Sequence, residues 1–488
     1  MRFETLIDDM PDFDFKDKRL FIRLFGGNIY AVGGYVRDLI RKRPSPEVDI
    51  LVARNSVEAV VRKLESRGRV DLVGRSFGVI KFTTGGKTYD VALPRIDTPR
   101  PAAERGHKDF EIATDPNLPI ETDLSRRDFR CNSMALRLAD GCLIDPFGGA
   151  SDARAGRLRL TNPGAFPDDP LRVLRAARFA SVLGFRIDPE IYDLSRDIDL
   201  SGLSIERVNE EFFRILLDSR RPSRGLEELL RLGGVEKLFP ELYALSLTIQ
   251  DAVFHPETDA DGHHTVWGHT LLTVDQAQSL VRTSEWPDGK RLSLLLAAIY
   301  HDAGKASTTR REFRRGRITV TSRGHDRVSE RIARKVLTRH RIVSWGGWDI
   351  EKTVPRLIGA HHRASEIWAN RDDVTRKAFN RLAADVGGDF DLPIILDAAD
   401  RAGRQNKLVR GLDREARWLF RKFREFRIDS ETIRPLIMGR DLIGLGVAPG
   451  PAMGRILKKL HTLQLDGVFE TKAAGMEAAR RLLEGKKA

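Results

Sequence analysis

Cysteine is scarce in this chain of 488 residues, which carries only Cys131 and Cys142. Two cysteines supply neither the ligand spacing of a zinc site nor a disulfide framework, so we expect two buried thiols in a reducing compartment, the cytoplasm. No run of about 18 apolar residues occurs, and we therefore expect no membrane-spanning helix. The N-terminal stretch "MRFETLIDDMPDFDF" is acidic and lacks an apolar run, so no signal peptide is predicted.

Acidic residues are outnumbered by basic ones, with 70 Asp and Glu against 83 Lys and Arg and a formal net charge of +13. Arginine binds phosphate through two parallel hydrogen bonds, so this surplus indicates a polyanionic partner, most often nucleic acid. A basic enzyme without such a partner has the same composition. Hydrophobic residues make up 41% of the chain, which excludes global disorder.

Short β-like runs alternate with helical segments in residues 20–150. Apolar runs between turn residues predict strands at "IYAVGG", "EVDILVA", "VIKFTT" and "YDVALPR", and "SVEAVVRKLESRG" predicts an amphipathic helix. From about residue 168 the pattern is helical, with Asp169 placed to cap "DDPLRVLRAARFASVLGF" and Pro170 in its first turn. We therefore predict an α+β protein, with a small α/β head followed by helical regions.

Two carboxylates in "EVDILV" have the spacing of one strand face. Side chains i and i+2 of a strand point the same way, so Glu47 and Asp49 project together. Like charges so placed repel unless a cation lies between them, and oxygen ligands suit Mg²⁺, which also binds substrate phosphates. Asp90 in "YDVALPR" is a third acid that a neighbouring strand can bring to the same face. The sequence thus predicts a Mg²⁺ site at these acids.

A glycine pair precedes the acids in "AVGGYVRD". Gly33 and Gly34 let the backbone come close to an anion, and amides at the start of the following helix can hold phosphate oxygens. Arg37 adds a guanidinium fork for the same phosphates. Taken together in one α/β unit, the glycines and the acids favour nucleotide-binding chemistry over a solvated strand end.

The sequence "DDPLR" places Asp169 and Arg172 three residues apart, which is one face of a helix. A carboxylate beside a guanidinium offers acceptors and donors in one plane, and the pair could match the Watson–Crick edge of C or A. A helix cap with an internal ion pair is the alternative.

Histidines and aspartates recur in the second helical stretch. In "LLAAIYHDAGKAS", His301 and Asp302 are adjacent near the end of an apolar helix, an arrangement that suits a divalent metal. Further candidate ligands for Mn²⁺, Ni²⁺, Fe or Zn²⁺ are His269, His325, His361 and Asp400.

The order of several motifs resembles one enzyme family. "GGYVRD", "EVDILV", "GRSFGVIKF", "YDVALPR", "SRRDFRCNSMAL", "IDPFGG", "DDPLRVLRAARFASVLGF" and "SIERVNEE" occur as in class II tRNA nucleotidyltransferases and bacterial poly(A) polymerases. The resemblance implies that Glu47 and Asp49 bind the catalytic metals, with Glu47 standing where Asp is usual. It also implies partners: the tRNA acceptor arm, CTP and ATP.

The same resemblance implies roles for residues of two further motifs. Arg126, Arg127 and Asp128 would contact the triphosphate and ribose of the incoming nucleotide, unless they form a salt-bridge cluster. Asp169 and Arg172 would select CTP and then ATP. Arg175 and Arg178 would face the primer or the triphosphate, or be solvated. The segment "RIDTPRPAAERGHKDFEIATDPNLPIETDL" resembles the mobile loop that permits the change from C to A addition.

"HDAGK" and the pattern His269, His301–Asp302, Asp400 resemble the HD phosphohydrolase superfamily, which implies a metal centre that is catalytic or vestigial. The tail "MGRDLIGLGVAPGPAMGRILKKLHTLQLDG" resembles that of long HD-bearing nucleotidyltransferases. There Arg455, Lys458 and Lys459 would contact RNA, or belong to a packed helical hairpin.

We predict four domains: a nucleotidyltransferase head at 1–155, a helical neck at 156–245, an HD domain at 246–425 and an RNA-binding tail at 426–488. The predicted function is template-independent CCA addition to tRNA. A poly(A) polymerase, a CC-only or A-only enzyme, and a phosphohydrolase with an inactive head are the alternatives; a non-catalytic RNA-binding protein is less favoured. The oligomeric state is left open.

Overall fold

The computed structural model describes residues 4–5, 14–43, 47–73, 79–99, 110–314, 316–405, 407–428 and 433–484. The chain divides into two compact units, one of Met1–Ser219 with Arg224–Phe239 and one of Arg220–Ser223 with Pro240–Ala488. The first contains a mixed sheet with helices, and the second is mainly helical. The predicted α+β class is confirmed.

The elements up to residue 246 build the head and the helices that follow it. The strands are β1 Glu4–Thr5, β2 Ile29–Val32, β3 Asp49–Val52, β4 Arg69–Val73, β5 Val79–Thr84, β6 Lys87–Ala92, β7 Arg95–Pro99, β8 Phe110–Thr114, β9 Ala135–Arg137, β10 Leu143–Ile144, β11 Arg157–Leu158 and β12 Arg186–Ile187. The helices are α1 Lys18–Phe25, α2 Gly34–Ile40, α3 Val57–Glu65, α4 Ile120–Ser125, α5 Gly149–Ala155, α6 Leu171–Val182, α7 Pro189–Arg196, α8 Ile205–Asp218, α9 Pro222–Arg231, α10 Gly234–Leu238 and α11 Pro240–Ser246.

The main sheet of the first unit has the strand order β1-β10-β9-β2-β3-β6-β5-β4. Only β3 and β6 run parallel in it, and their register puts Asp49 opposite Asp90. The side chains of Ile50, Leu51 and Val52 that follow Asp49 are buried, as expected for a central strand covered on both faces. The sheet therefore holds β3 rigidly at the point where its acidic end begins.

β7 and β8 form a separate antiparallel hairpin. The segment that we expect to be a mobile loop includes this hairpin, and its residues 100–109 lie outside the described residues. The loop's role in changing from C to A addition stays a prediction.

The elements beyond residue 246 form the rest of the second unit. The helices are α12 Val266–Val281, α13 Asp288–Tyr300, α14 Lys305–Thr308, α15 His325–Arg339, α16 Ile350–Gly359, α17 Arg363–Ala369, α18 Arg376–Asp385, α19 Asp391–Gly403, α20 Arg414–Glu425, α21 Gly439–Ile443, α22 Pro451–Leu465 and α23 Lys472–Glu484. Two hairpins interrupt them, formed by β13 Arg310–Arg314 with β14 Arg317–Thr321 and by β15 Ser344–Trp345 with β16 Trp348–Asp349.

Helix α13 lies at the centre of the second unit and contacts α12, α15, α16 and α19. Its residues from Leu292 to Tyr300 are all buried, the pattern of a helix that is apolar on every side and therefore interior. This packing fixes the end of α13, where His301 and Asp302 follow.

The C-terminal helices have their own apolar cluster. Ile437, Leu442, Ile456, Leu460 and Phe469 are among its buried members. Helix α21, a Gly/Pro turn and α22 match the helix–turn–helix expected from the sequence. Among the described residues, no helix combines the length and apolar character needed to cross a membrane.

Candidate functional site

Three carboxylates meet at the start of β3. Glu47 and Asp49 are exposed while Val48 and Ile50 between and after them are buried, so the two acids share a face as predicted. Asp90 lies beside Asp49 across the parallel pair β3–β6. Partial exclusion of water from its carboxylate by the surrounding atoms raises the pKa of Asp49, the charges of Asp90 and Glu47 raise it further, and Arg127 opposes the shift.

The charge balance of this acid cluster, Glu47, Asp49 and Asp90, fits a divalent cation. Asp90 is paired with Lys81 at 2.9 Å between Oδ1 and Nζ, and both side chains are nearly half exposed. Beyond the effect of excluded water, the charges of Asp90 and Glu47 contribute to the raised pKa of Asp49, so the three acids repel one another. Hard carboxylate oxygens in excess over cations are the donor set that Mg²⁺ takes. Lys81, on β5 opposite Asp90, is a member of this surface that we did not predict.

Gly33 separates the acid cluster from Arg127. Its backbone has φ 69° and ψ −132°, a conformation that side chains disfavour. A Cβ at this position would lie 3.1 Å from Arg127 Nη1 and 3.4 Å from Asp49 Oδ2. The absence of a side chain at Gly33 therefore lets the guanidinium and the carboxylate approach the same turn.

We expect Gly33→Ala to destabilise the protein by about 1–3 kcal/mol, the usual cost of forcing a side chain into such a backbone region. Gly34→Ala is the matched control, because Gly34 begins α2 without a positive φ and its added Cβ would meet nothing closer than 3.4 Å. Denaturant unfolding of both variants checks this expectation. Equal losses of stability at the two positions would contradict it.

Arg126 and Arg127 are both held by one buried carboxylate. Arg126 Nη2 lies 2.7 Å from Asp123 Oδ1, and Arg127 Nη2 lies 3.2 Å from Asp123 Oδ2. Although burial alone would raise it, the two guanidinium groups lower the pKa of Asp123. Asp123 was not among our predicted residues; it fixes both arginines, of which Arg127 lies near the acid cluster.

Asp128 begins a chain of buried ion pairs that runs into the helices. Arg175 Nη2 lies 2.7 Å from Asp128 Oδ2, and Arg175 Nη1 lies 3.4 Å from Glu211 Oε1. Arg178 Nε lies 2.5 Å from Glu211 Oε2. Asp128 also accepts hydrogen bonds from the Phe129 amide and from Asn132 Nδ2. Arg175 and Arg178 are thus tied to carboxylates, which rules out the solvated alternative for both.

The expectation that Asp169 and Arg172 share a helical face is wrong. Helix α6 begins at Leu171, and Asp169 is extended, with φ −119° and ψ 96°. The physical reason is Pro170, whose ring disfavours the helical conformation for the residue before it. Asp169 Oδ1 accepts from the Leu171 amide and forms an ion pair with Arg207 Nη2 at 3.0 Å.

The other two predicted arginines are bound within the first unit. Arg172 donates to the backbone carbonyls of Ala165 and Arg126, at 2.5 and 2.6 Å. Arg37 is buried and donates to both oxygens of Asp38 and to Asn132 Oδ1. In this geometry Arg37 joins α2 to the segment before β9, and its contact with phosphate stays a prediction.

A second group of polar side chains lies at the end of α13 in the second unit. His269 Nε2 is 2.7 Å from Asp400 Oδ1, and His301 Nε2 is 3.7 Å from the same oxygen. His301 Nε2 is also 3.3 Å from Asp302 Oδ2. The potential ligand atoms of His269, His301 and Asp400 all lie within 4.8 Å of one another. The structure therefore brings together the four residues predicted from the H…HD…D pattern.

Asp302 connects this group to a second set of histidines. Its Oδ1 lies 3.2 Å from His325 Nε2, and His325 Nε2 lies 3.3 Å from His362 Nε2. His325, His361 and His362 form a second cluster with potential ligand atoms within 4.8 Å of one another. The sequence predicted His325 and His361, whereas His362 was missed although it follows His361 directly. We call all seven residues the histidine centre: His269, His301, Asp302, His325, His361, His362 and Asp400.

Three of these histidines are oriented in the same way. The Nδ1 atoms of His301, His325 and His361 lie 2.9, 2.8 and 2.6 Å from the carbonyl oxygens of the residue three positions earlier in each case. A carbonyl only accepts, so Nδ1 carries a proton, and Nε2 is the nitrogen that can bind a metal once it is deprotonated. The buried Nε2 atoms of His301 and His361 have no hydrogen-bond partner among the described residues. Orphaned imidazole nitrogens beside anionic carboxylates fit a divalent metal.

Glu257 contacts the far ring nitrogen, Nδ1, of His269 in the histidine centre. Its Oε1 is 2.8 Å from Nδ1 of both His255 and His269. Although burial alone would raise it, these hydrogen bonds lower the pKa of Glu257 to about 2. A carboxylate on the far nitrogen of a ligating histidine fixes its ring and raises its basicity. Neither Glu257 nor His255 was predicted, since their segment is a polar loop without periodicity.

We expect Glu257→Gln to weaken metal binding by about 10–100-fold, the usual effect of losing such a supporting carboxylate. Titration calorimetry of the metal-stripped protein with Mn²⁺ and Ni²⁺ measures the change. Glu366→Gln is the control, because the Glu366 side chain is 65% exposed and pairs only with Arg363 at the surface. Unchanged affinity in the Glu257 variant would show that His269 needs no support.

Three family models match segments of this chain. A family model described as the poly A polymerase head domain matches residues 29–159, an HD domain model matches 266–402, and a model described as a probable RNA and SrmB-binding site of polymerase A matches 184–245. The acid cluster lies within the first matched range, and all seven residues of the histidine centre lie within the second.

Curated relatives match most of the chain. The multifunctional CCA protein of Nitrosomonas europaea is 36% identical over 70% of this chain and 75% of its own length. That of Methylococcus capsulatus is 33% identical over 88% of this chain and 93% of its own. A structure of the Thermotoga maritima CCA-adding enzyme complexed with tRNA is 20% identical, covers 96% of each chain and has a TM-score of 0.55, which shows a shared fold. Given these relatives, this chain belongs to the family of multifunctional CCA proteins.

Proposed function

We propose that the protein adds C, C and A to the 3′ end of tRNA, using CTP and ATP and no nucleic-acid template. The observation that carries the proposal is the register of β3 and β6, which pairs Asp49 with Asp90 and leaves Glu47 on the same face. Membership of the multifunctional CCA protein family supports the choice of tRNA as the acceptor.

The acid cluster and Arg127 have different roles in nucleotidyl transfer. Glu47, Asp49 and Asp90 supply the oxygens that would hold Mg²⁺. When bound there, this ion lowers the barrier for a terminal 3′-hydroxyl to attack the α-phosphate and neutralises the leaving pyrophosphate. Arg127 lies across the Gly33 turn from Asp49 and is placed to grip the triphosphate. Glu47 is one methylene longer than the aspartate usual at its position.

Base selection is proposed at Asp169 and its neighbours. Asp169 offers an acceptor beside the donors of Arg207, an arrangement that can match the Watson–Crick edge of a pyrimidine or purine. Arg172 is the sequence-predicted donor, and in the observed geometry it fixes the turn before α6 through backbone carbonyls. The ion pair of Asp128 and Arg175 is proposed to line the nucleotide site.

Incorporation of labelled nucleotides into a tRNA that ends before CCA tests the proposal. With CTP alone we expect two additions, with ATP alone none, and with both three. Repeated addition of A would indicate a poly(A) polymerase, and two additions with both nucleotides would indicate a CC-only enzyme. A single A added only to a tRNA already ending in CC would indicate an A-only enzyme.

We propose metal-dependent phosphoester hydrolysis as a second activity. The specific observation that favours it is the shared orientation of His301, His325 and His361, whose Nδ1 atoms face backbone carbonyls. Nε2 of His301 and of His325 lies near Asp302, and the buried Nε2 atoms of His301 and His361 have no hydrogen-bond partner among the described residues. Imidazole and carboxylate ligands suit Mn²⁺, Ni²⁺, Fe or Zn²⁺. Hydrolytic opening of 2′,3′-cyclic AMP, in which water breaks one P–O ester bond to give 2′- or 3′-AMP, is measured with each metal to test this activity. Hydrolysis without any nucleotide incorporation would favour the alternative of an inactive head.

The C-terminal tail presents basic side chains on one helix. Helix α22 buries Met453, Ile456 and Leu460 and exposes Arg455, Lys458 and Lys459. We propose that these three cations contact the phosphates of the acceptor arm.

The cytoplasm is the proposed compartment, supported by two buried cysteines that carry no disulfide.

A further inference from the structure

The hairpin of β13 and β14 presents an unusual surface next to the histidine centre. The side chains of Phe313 and Ile318 are 76% and 69% exposed, among the highest values for large apolar residues in the described part of the chain. The register pairs Phe313 with Ile318 directly. A two-stranded hairpin is only marginally stable by itself, and exposed apolar side chains mark interaction sites. The solvent-exposed Phe313–Ile318 pair therefore indicates a binding surface.

The same face of the hairpin combines aromatic and cationic side chains. Arg311 pairs with Val320 two positions from Phe313 and Ile318, so these four side chains point to one side. Arg311 is exposed as well, and Val320 is partly buried, as are Glu312 and Thr319 on the other side. The sequences of the two strands contain four arginines and one glutamate. This charge favours a polyanion over a protein surface or a second copy of this basic chain.

The base of the hairpin is joined to the histidine centre. Thr309 Oγ1 and Ser322 Oγ lie 2.8 Å apart across the base. The Ser322 carbonyl orients His325, and Lys305, four residues before Thr309, lies 2.7 Å from Asp302 Oδ2. The centre reaches solvent at His362, which is exposed and lies 3.3 Å from His325. A strand of nucleic acid on the hairpin would therefore end near these histidines.

We propose that the hairpin of β13 and β14 is a docking surface for single-stranded RNA, which delivers a 3′-terminal phosphoester to the histidine centre. Phe313 stacks on an unpaired base, Ile318 widens the apolar platform, and Arg311 contacts the phosphate backbone. Aromatic stacking on unpaired bases combined with cations along the backbone is the common mode of single-strand recognition. Bases inside an A-form duplex are not available for stacking, which selects an unpaired end. The delivery step rests on the proposed hydrolytic activity, whereas the binding step does not.

The test uses the full-length protein and the double variant Phe313→Ser/Ile318→Ser. Both side chains are exposed, so the variant should fold. The matched control is Leu247→Ser/Val343→Ser, which removes two other exposed apolar side chains of the second unit, at 70% and 57% exposure. The probe is an unpaired RNA dodecamer with a 2′,3′-cyclic phosphate end, followed by ultraviolet crosslinking with peptide mapping and by fluorescence anisotropy.

We expect crosslinks on the peptide that contains Phe313, and a Kd for the dodecamer about tenfold higher in the Phe313/Ile318 variant than in the control. We also expect a higher KM for hydrolysis of the dodecamer with no change for 2′,3′-cyclic AMP, which is too small to reach the hairpin. Absence of crosslinks in the hairpin together with equal Kd values overturns the proposal. Self-association lost in the variant without any change in RNA affinity assigns the face to a second copy and also overturns it.

Failure of the proposed hydrolytic activity gives a different result. In that case neither substrate is hydrolysed by the unmodified protein, and the crosslinks and the Kd difference remain. Binding and hydrolysis are therefore judged separately.

Discussion

Replacing Asp49 with asparagine is expected to reduce nucleotide incorporation by about a thousandfold, the equivalent of about 4 kcal/mol in the barrier. Asp49 is the middle member of the acid cluster, in register with Asp90 and on the same face as Glu47. Its pKa is raised by partial exclusion of water and by these two neighbours, so asparagine relieves their repulsion while removing the charge that holds a cation. The fold should therefore survive while the transfer chemistry is lost.

Asp71→Asn is the control for this variant. Asp71 lies on β4 of the same sheet, pairs with Arg69 and is 45% exposed. Initial rates of CTP incorporation for both variants, with their melting temperatures, check the prediction. A rate for Asp49→Asn within tenfold of the unmodified protein would show that the acid cluster does not carry the reaction. Hydrolysis of 2′,3′-cyclic AMP should be the same in both variants.

Replacing Asp302 with asparagine is expected to reduce phosphoester hydrolysis by about a thousandfold and to lower the content of bound metal. Asp302 is buried, and its oxygens lie near His301, His325 and Lys305. Although burial alone would raise it, these groups hold the pKa of Asp302 well below its usual range, so it is anionic. Asparagine removes the carboxylate charge that connects the two histidine groups.

Metal content by mass spectrometry and hydrolysis of 2′,3′-cyclic AMP measure the effect of Asp302→Asn. Asp373→Asn is the control, because Asp373 is an exposed aspartate in the same unit. CTP incorporation should stay within twofold in both variants, which separates a local loss from unfolding. Retained hydrolysis with a full complement of metal would contradict the assignment of Asp302 as a ligand.

Local sequence patterns predicted the acid cluster well. The alternation in "EVDILV" fixes which side chains share a face, because side chains of a strand alternate between its two sides. Glu47 and Asp49 are accordingly exposed around the buried Val48. That Asp90 joins them needed one further assumption, the parallel pairing of β3 with β6, and the structure confirms it.

The base-selecting region was predicted less well, because helical spacing does not extend back across Pro170 to Asp169. Counting three residues from Asp169 to Arg172 assumed that both lie within the helix, whereas Pro170 forces Asp169 into an extended conformation. The ion-pair partner of Asp169 is Arg207, 38 residues away on α8. The motif "SIERVNEE" was noted as a whole, yet nothing local in it distinguishes Arg207 from an exposed helical arginine.

The histidine centre shows the same limit. Its ligands follow a recognisable order along the chain, and the structure brings all of them together. Glu257 was missed because it lies in a loop without periodicity, before its partner His269 on α12. Its burial, which gives the carboxylate its supporting role, is a property of the packed unit. Sequence identifies the groups with intrinsic chemistry, and tertiary packing decides which neighbours orient them.

The most direct test of the central claim is an anomalous difference map from crystals soaked with CTP and Mn²⁺. We expect a Mn²⁺ peak next to the carboxylate oxygens of Asp49 and Asp90, with the triphosphate of CTP beside Arg127. A triphosphate bound elsewhere in the first unit, or the Asp49 and Asp90 side chains pointing apart with no peak between them, would contradict it.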